Sequence, residues 1–185
     1  MAGDHAMIDS PWSFPLKLGQ VGRLAPGERI ELRLVAGAED RDAIAELLDV
    51  EAVERLEADL VVSPWFDGAQ IEGRWAAEIV QICGVSLEPF PTTLAGRFVI
   101  RAVPQGSALA PREGAEIVID PEADDPPNVL EDQQIDLGGY VVEHLALEID
   151  PFPRKPGVAF EPPAPTRESS PFDVLQALKG GKADK

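Results

Sequence analysis

The chain of 185 residues has one cysteine, Cys83. An intrachain disulfide is impossible, which excludes the small disulfide-stapled secreted scaffolds. Histidine is almost as scarce, with His5 and His144 alone. One thiol and two distant imidazoles do not suggest a closed zinc site. Nothing in the sequence positions a third, orienting group for a Cys83–His144 nucleophilic pair. His144 itself reads as a surface residue on the polar side of a helix. The P-loop, the dinucleotide-binding fingerprint, the nucleophile elbow and the zincin motif are all missing. No catalytic residue, metal or cofactor is therefore expected. No apolar run approaches the roughly 20 residues that a membrane-spanning helix needs. Residues 1–13 lack the apolar segment of a secretion signal. A cytoplasmic protein without membrane contact is expected.

Positive charge is also in short supply. Sixteen Lys and Arg face 33 Asp and Glu, for a net charge of -17 and an isoelectric point near 4.4. Such acidity opposes nucleic-acid phosphate and anionic membranes, and steers basic proteins toward the chain. Acidity can also serve solubility alone, so its location matters. Residues 113–153 hold no Lys or Arg. Glu113, Glu116, Asp120, Glu122, Asp124 and Asp125 form the candidate acidic surface. Asp120, Glu122, Asp124 and Asp125 offer oxygen ligands for a hard cation, but without EF-hand spacing. A hydrated acidic loop is the expected reading.

What is present is enough for a core, since 44% of residues are apolar. Residues 1–27 read as a proline-marked lead-in. Residues 29–34 and 55–62 alternate polar and apolar, as half-buried strands do, the second stopping at Ser63-Pro64. Ile71, Gly73, Trp75, Ala77 and Ile79 share one face of a longer strand. Phe98 and Ile100 share one face of another. A bend over 83–91 joins them. One apolar and one charged face per strand favours an antiparallel sheet. Helices are expected over 40–48 and 137–149. The second has Leu137, Val141, Leu145 and Ile149 four apart, Asp136 as N-cap, and Gly138-Gly139 weakening its first turn.

The expected fold is α+β: a twisted antiparallel sheet of four to six strands with flanking helices. Residues 1–157 form the domain. Residues 158–185 form a proline-rich linker and a short C-terminal helix whose Phe172, Leu175 and Leu178 share a face. Arg97, Arg101 and Arg112 gather near one strand and its exit. Lys179, Lys182 and Lys185 gather at the end. Neither group carries an aromatic-interleaved RNA-binding signature.

Three stretches, in order, resemble a known family. Residues 75–90 run Trp-Ala-Ala-Glu-Ile-Val-Gln-Ile-Cys-Gly-Val-Ser-Leu-Glu-Pro-Phe, with Cys83, Leu87, Glu88 and Pro89. Residues 143–157 contain Pro151, Pro153 and Arg154. Residues 170–179 contain Pro171, Phe172 and Leu175. Together they resemble the YceD family, the large ribosomal RNA subunit accumulation proteins, in an alphaproteobacterial-type form. Many members carry Cys-x-x-Cys where this chain has Cys83-Gly84-Val85-Ser86, so the second thiol is absent. The resemblance implies a role in 23S ribosomal RNA accumulation or processing. Taken with the charge pattern, the expectation is a non-enzymatic factor that binds a basic large-subunit ribosomal protein or pre-ribosomal particle, with weak RNA contact as a secondary expectation. The alternatives are a Mg²⁺-dependent nuclease that uses the acidic loop, and a direct RNA-binding module that uses Arg97, Arg101 and Arg112.

Overall fold

The structure is a computed structural model and describes residues 10–111 and 125–160. Short elements come first: β1 (Pro15–Lys17), α1 (Leu18–Val21), β2 (Ile30–Val35) and α2 (Ala38–Leu47). Three long strands follow, β3 (Ala52–Trp65), β4 (Gly68–Ile82) and β5 (Pro89–Pro104). After them come β6 (Asn128–Leu130), β7 (Gln134–Asp136) and α3 (Leu137–Glu148). The main sheet has the order β2-β3-β4-β5-β6, and β1 pairs with β7 in a second, two-stranded sheet. This is the expected α+β class.

The sheet differs from expectation in one respect. β2 to β5 form an antiparallel meander, but β6 lies parallel to β5, so the sheet is mixed. The long connection after β5 allows a parallel return that a tight hairpin would forbid. β3 also continues through Ser63-Pro64 to Trp65. β2 reaches only Val62, so the far end of β3 is an edge on that side. There a proline without an N–H is tolerated.

Alternation sorts the three long strands into two faces. Leu56, Ala58, Leu60, Val62, Ala69, Ile71, Trp75, Ala77, Ile79 and Phe98 are buried. Val21, Ile44, Leu137, Val141 and Leu145 complete one continuous core with them. Glycine and aromatic residues alternate across the β4–β5 pair. Gly73 faces Phe98 and Gly96 faces Trp75 in register. A Cβ on Gly73 would lie 2.3 Å from the Phe98 ring, and one on Gly96 would lie 2.8 Å from the Trp75 ring. Each ring lies over the glycine of the opposite strand.

The lead-in is part of the body. Trp12, Leu16, Leu18 and Val21 are buried. Residues 12–14 lie against the first turn of α3. The Asp136 carboxylate accepts from the Gly139 amide at 3.2 Å, the N-cap bond expected of it, and from the Phe14 amide at 2.8 Å. The Leu137 amide donates to the Phe14 carbonyl at 3.0 Å. Gly138 allows this approach, since a Cβ there would sit 2.0 Å from the Trp12 carbonyl oxygen. The glycine that weakens the helix in isolation is required by its packing. His144 is half-buried and stacks on Phe98, with centroids 4.4 Å apart and planes at 4°. It is not the free surface histidine expected, because Phe98 projects from the inner face of β5 under α3.

A cysteine-centred junction as the candidate functional site

β4 ends at Ile82 and β5 begins at Pro89, which leaves a six-residue turn. The Cys83 amide donates to the Glu88 carbonyl and the Leu87 amide to the Cys83 carbonyl, each at 2.9 Å. Leu87 is held at φ 58°, a left-handed conformation unusual outside glycine. Its side chain is 75% exposed.

The chain leaving α3 closes on this turn. Gln81, the buried polar residue of the described core, donates from Nε2 to the Asp150 carbonyl at 3.2 Å. The Gly84 amide donates to the Pro153 carbonyl at 2.9 Å. Lys155 Nζ pairs with the Glu88 carboxylate at 2.8 Å. Prolines at 151 and 153 suit this segment, because an extended strap with few donors of its own can present carbonyls to a neighbour. Asp150 fixes its start by accepting from the Phe152 amide at 2.8 Å.

Cys83 sits at the centre and is fully buried. Its Sγ accepts from the amides of Val85, Ser86 and Lys155, each at 3.4 Å. The nearby Ser86 hydroxyl and these amides lower the thiol pKa from 9.0 to about 6, against the opposing effect of burial. Ser86 contributes most, first through its hydroxyl and then through its amide, followed by the Lys155 amide. The Ser86 Oγ is buried without a hydrogen-bond partner of regular geometry, and the sulfur is the group it faces. Serine therefore occupies the second position of the Cys-x-x-Cys pattern as a neighbour to a thiolate. Lys155 holds the Glu88 carboxyl below its usual range, and Glu88 raises Lys155 in turn. The arrangement stabilises one buried negative sulfur. It offers that sulfur amide donors where a metal site would need further ligands. Among the described residues no group of three or more His, Cys, Asp or Glu side chains is arranged to hold a metal.

The predicted site residues thus separate. Cys83 and Glu88, on or beside the turn with Leu87 and Pro89, are joined through Lys155 to the segment that carries Pro151, Pro153 and Arg154, with Arg154 exposed. Gln81, Ser86 and Lys155 belong to it as well, and residue type alone did not single them out. Asp125 is exposed on the approach to β6. Glu113, Glu116, Asp120, Glu122 and Asp124 lie outside the described residues, as do Arg112, Pro171, Phe172, Leu175 and the expected C-terminal helix. Arg97 and Arg101 lie on β5.

Fold and junction define an α+β protein with a long-stranded sheet, locked at one end by a turn and a proline strap. The YceD family model, described as large ribosomal RNA subunit accumulation protein YceD, matches residues 71–179. The match covers more than half the chain and contains both arms of the junction, and the chain belongs to this family. No curated protein and no solved structure matches it. No helix among the described residues is long and apolar enough to cross a membrane.

Proposed function

We propose that the protein is a cytoplasmic, non-enzymatic factor in large ribosomal subunit biogenesis that supports accumulation of 23S ribosomal RNA. The family match carries this reading, since it runs from β4 past α3. The two residues that could form a nucleophilic pair are both tied into the packing. The Cys83 sulfur is buried and occupied by three N–H donors. The His144 ring stacks face to face on Phe98.

The partner in this reading is a basic large-subunit ribosomal protein or a pre-ribosomal particle. It is held by the acidic surface of Glu113, Glu116, Asp120, Glu122, Asp124 and Asp125. Charge supports the assignment, since a chain of net charge -17 accelerates encounters with cations. Exposed charge pairs weaken with salt, so a tagged chain should retain basic large-subunit proteins at about 50 mM salt and release them at about 0.5 M. Failure to retain them at low salt would sink the acidic-surface reading. Depletion of the protein in cells should lower 23S relative to 16S ribosomal RNA. An unchanged ratio would remove the biogenesis role itself.

A further inference from the structure

β5 is anomalous in so acidic a chain. Its sixteen residues, Pro89–Pro104, contain two arginines and no acid. Arg97 points away from the core and lies directly opposite Arg74 of β4. Both are exposed. Like charges directly opposed across a sheet repel. On its other side Arg74 lies in register with Asp59 of β3, so it stands between a carboxylate and a guanidinium, without a carboxylate of the described residues within ion-pair distance. Asp59 and Glu57 pair with Arg33 at 3.7 and 3.1 Å, and Arg55 holds Glu57 and Glu78 at 2.6 and 3.0 Å. Glu72 accepts from the neutral Gln70 amide at 3.1 Å and keeps its charge on the same face. Among the described residues neither Arg74 nor Arg97 has an ion-pair partner.

Aromatic groups lie further along the same face. The Arg101 guanidinium sits 5.2 Å above the centroid of the Trp65 ring and also donates to Gln70 at 3.4 Å. Arg97 and Arg101 are four residues apart, about 13 Å along a strand. Phe66 meets Trp65 edge to face, with centroids 4.9 Å apart. Trp65 pairs with Gly68, so Phe66 is the first of two turn residues. It has φ 50° and is 80% exposed. Positive φ at the first position of a two-residue hairpin turn normally selects glycine. A strained backbone that presents an uncovered aromatic ring suggests a use for the ring.

We infer that the open face of β4 and β5, with the β3–β4 turn, binds single-stranded RNA: Arg74 and Arg97 take phosphates and Phe66 stacks on a base. Phosphate relieves the repulsion between the opposed arginines. An unpaired base offers the flat partner that the exposed ring lacks, and stacking of this kind tolerates any sequence. The inference rests on the proposed role in ribosomal RNA accumulation for the choice of RNA as the nucleic acid.

The test is fluorescence anisotropy of labelled oligouridylate, about twelve nucleotides long, with the full chain at increasing salt. Binding should be measurable at about 50 mM salt, with a log–log salt slope of roughly -1.4 from two phosphate contacts. The double variant Arg74→Ala/Arg97→Ala should weaken binding about tenfold or more and flatten that slope, while Arg97→Lys retains most of both. Phe66→Gly removes the turn strain together with the ring. It should weaken binding about fivefold or more and leave the salt slope unchanged. These positions are exposed, and circular dichroism should show that each variant is folded. No binding by the full chain at low salt overturns the inference. So does unchanged affinity in the double arginine variant. Displacement of RNA by polyglutamate at equal charge, with an inert Phe66→Gly, makes the face a site for acidic peptides and also overturns it. If RNA binding fails while depletion still lowers 23S RNA, the surface is wrong and the biogenesis role stands.

Discussion

Substitution of Gly138 by alanine should destabilise the protein, although alanine is the better helix former. In an exposed helix interior the exchange gains about 0.5–1 kcal/mol. Here the new Cβ would lie 2.0 Å from the Trp12 oxygen, 2.9 Å from its carbonyl carbon and 3.2 Å from the Phe14 nitrogen. All three atoms are backbone, so no rotamer change relieves the overlap. Residues 12–14 must lift by more than 1 Å, since ordinary contact begins at 3.4 Å. Lifting breaks the Phe14–Asp136 and Leu137–Phe14 hydrogen bonds, each worth about 1 kcal/mol. It also uncovers part of the Trp12 side chain, whose full burial is worth about 3 kcal/mol. The expected net loss is about 2–4 kcal/mol. Urea unfolding followed by circular dichroism measures it. Tryptophan emission should shift to the red in the native baseline as Trp12 meets water. Gly139→Ala is the internal control. Its Cβ would meet the Asp136 carboxylate at 2.9 Å, a side chain that can turn. The loss there should be about 1 kcal/mol, the usual worth of an N-cap. Wild-type or greater stability in Gly138→Ala would refute the packing argument.

Other outcomes follow from the same contacts. The folded Cys83 thiol has a pKa of about 6, below its ordinary 9.0, so the unfolded chain binds the extra proton between those values. Stability should rise with pH across that window and fall back as pH drops toward 6, and Cys83→Ser should remove this part of the profile in denaturant midpoints. The same thiol should resist a disulfide reagent such as DTNB in native buffer and react on adding urea, because burial outweighs ionisation in controlling access. Asp136→Ala deprives the Gly139 and Phe14 amides of their acceptor and should cost about 1–2 kcal/mol by urea unfolding, more than an isolated cap.

The legible parts of the fold were those written in local period. Leu137, Val141 and Leu145 announce α3, and Asp136 caps it as its position suggests. The long strands follow from alternation through Ile71, Trp75 and Ile79. β6 was illegible because Asn128–Leu130 is too short to show a period, and its partner lies across a long connection. The role of Gly138 was hidden for another reason: helix propensity counts only the helix, and the Trp12 backbone arrives from the far end of the chain. The candidate site was legible as two motifs but not as one place. Cys83 and Lys155 are 72 residues apart, and only the topology brings that amide to the sulfur. Ser86 was visible as a missing thiol. Its place beside the remaining one is set by the fold of the turn. Phe66 left no signal, since a positive φ cannot be read from a phenylalanine.

The clamp between residues 12–14 and α3 has a consequence for how the molecule is made. Phe14 and Asp136 are separated by 122 residues. At about 5–20 residues per second, roughly 6–25 s pass between synthesis of the first partner and the second. The β2–β5 meander can pair during that interval, because each of its strands needs only the neighbour just made. Trp12 and Leu16 must wait, apolar and uncovered, until β7 and α3 emerge from the exit tunnel. Residues 12–16 thus leave the ribosome well before the elements that cover them, and they are among the last of the described residues to reach their packed positions.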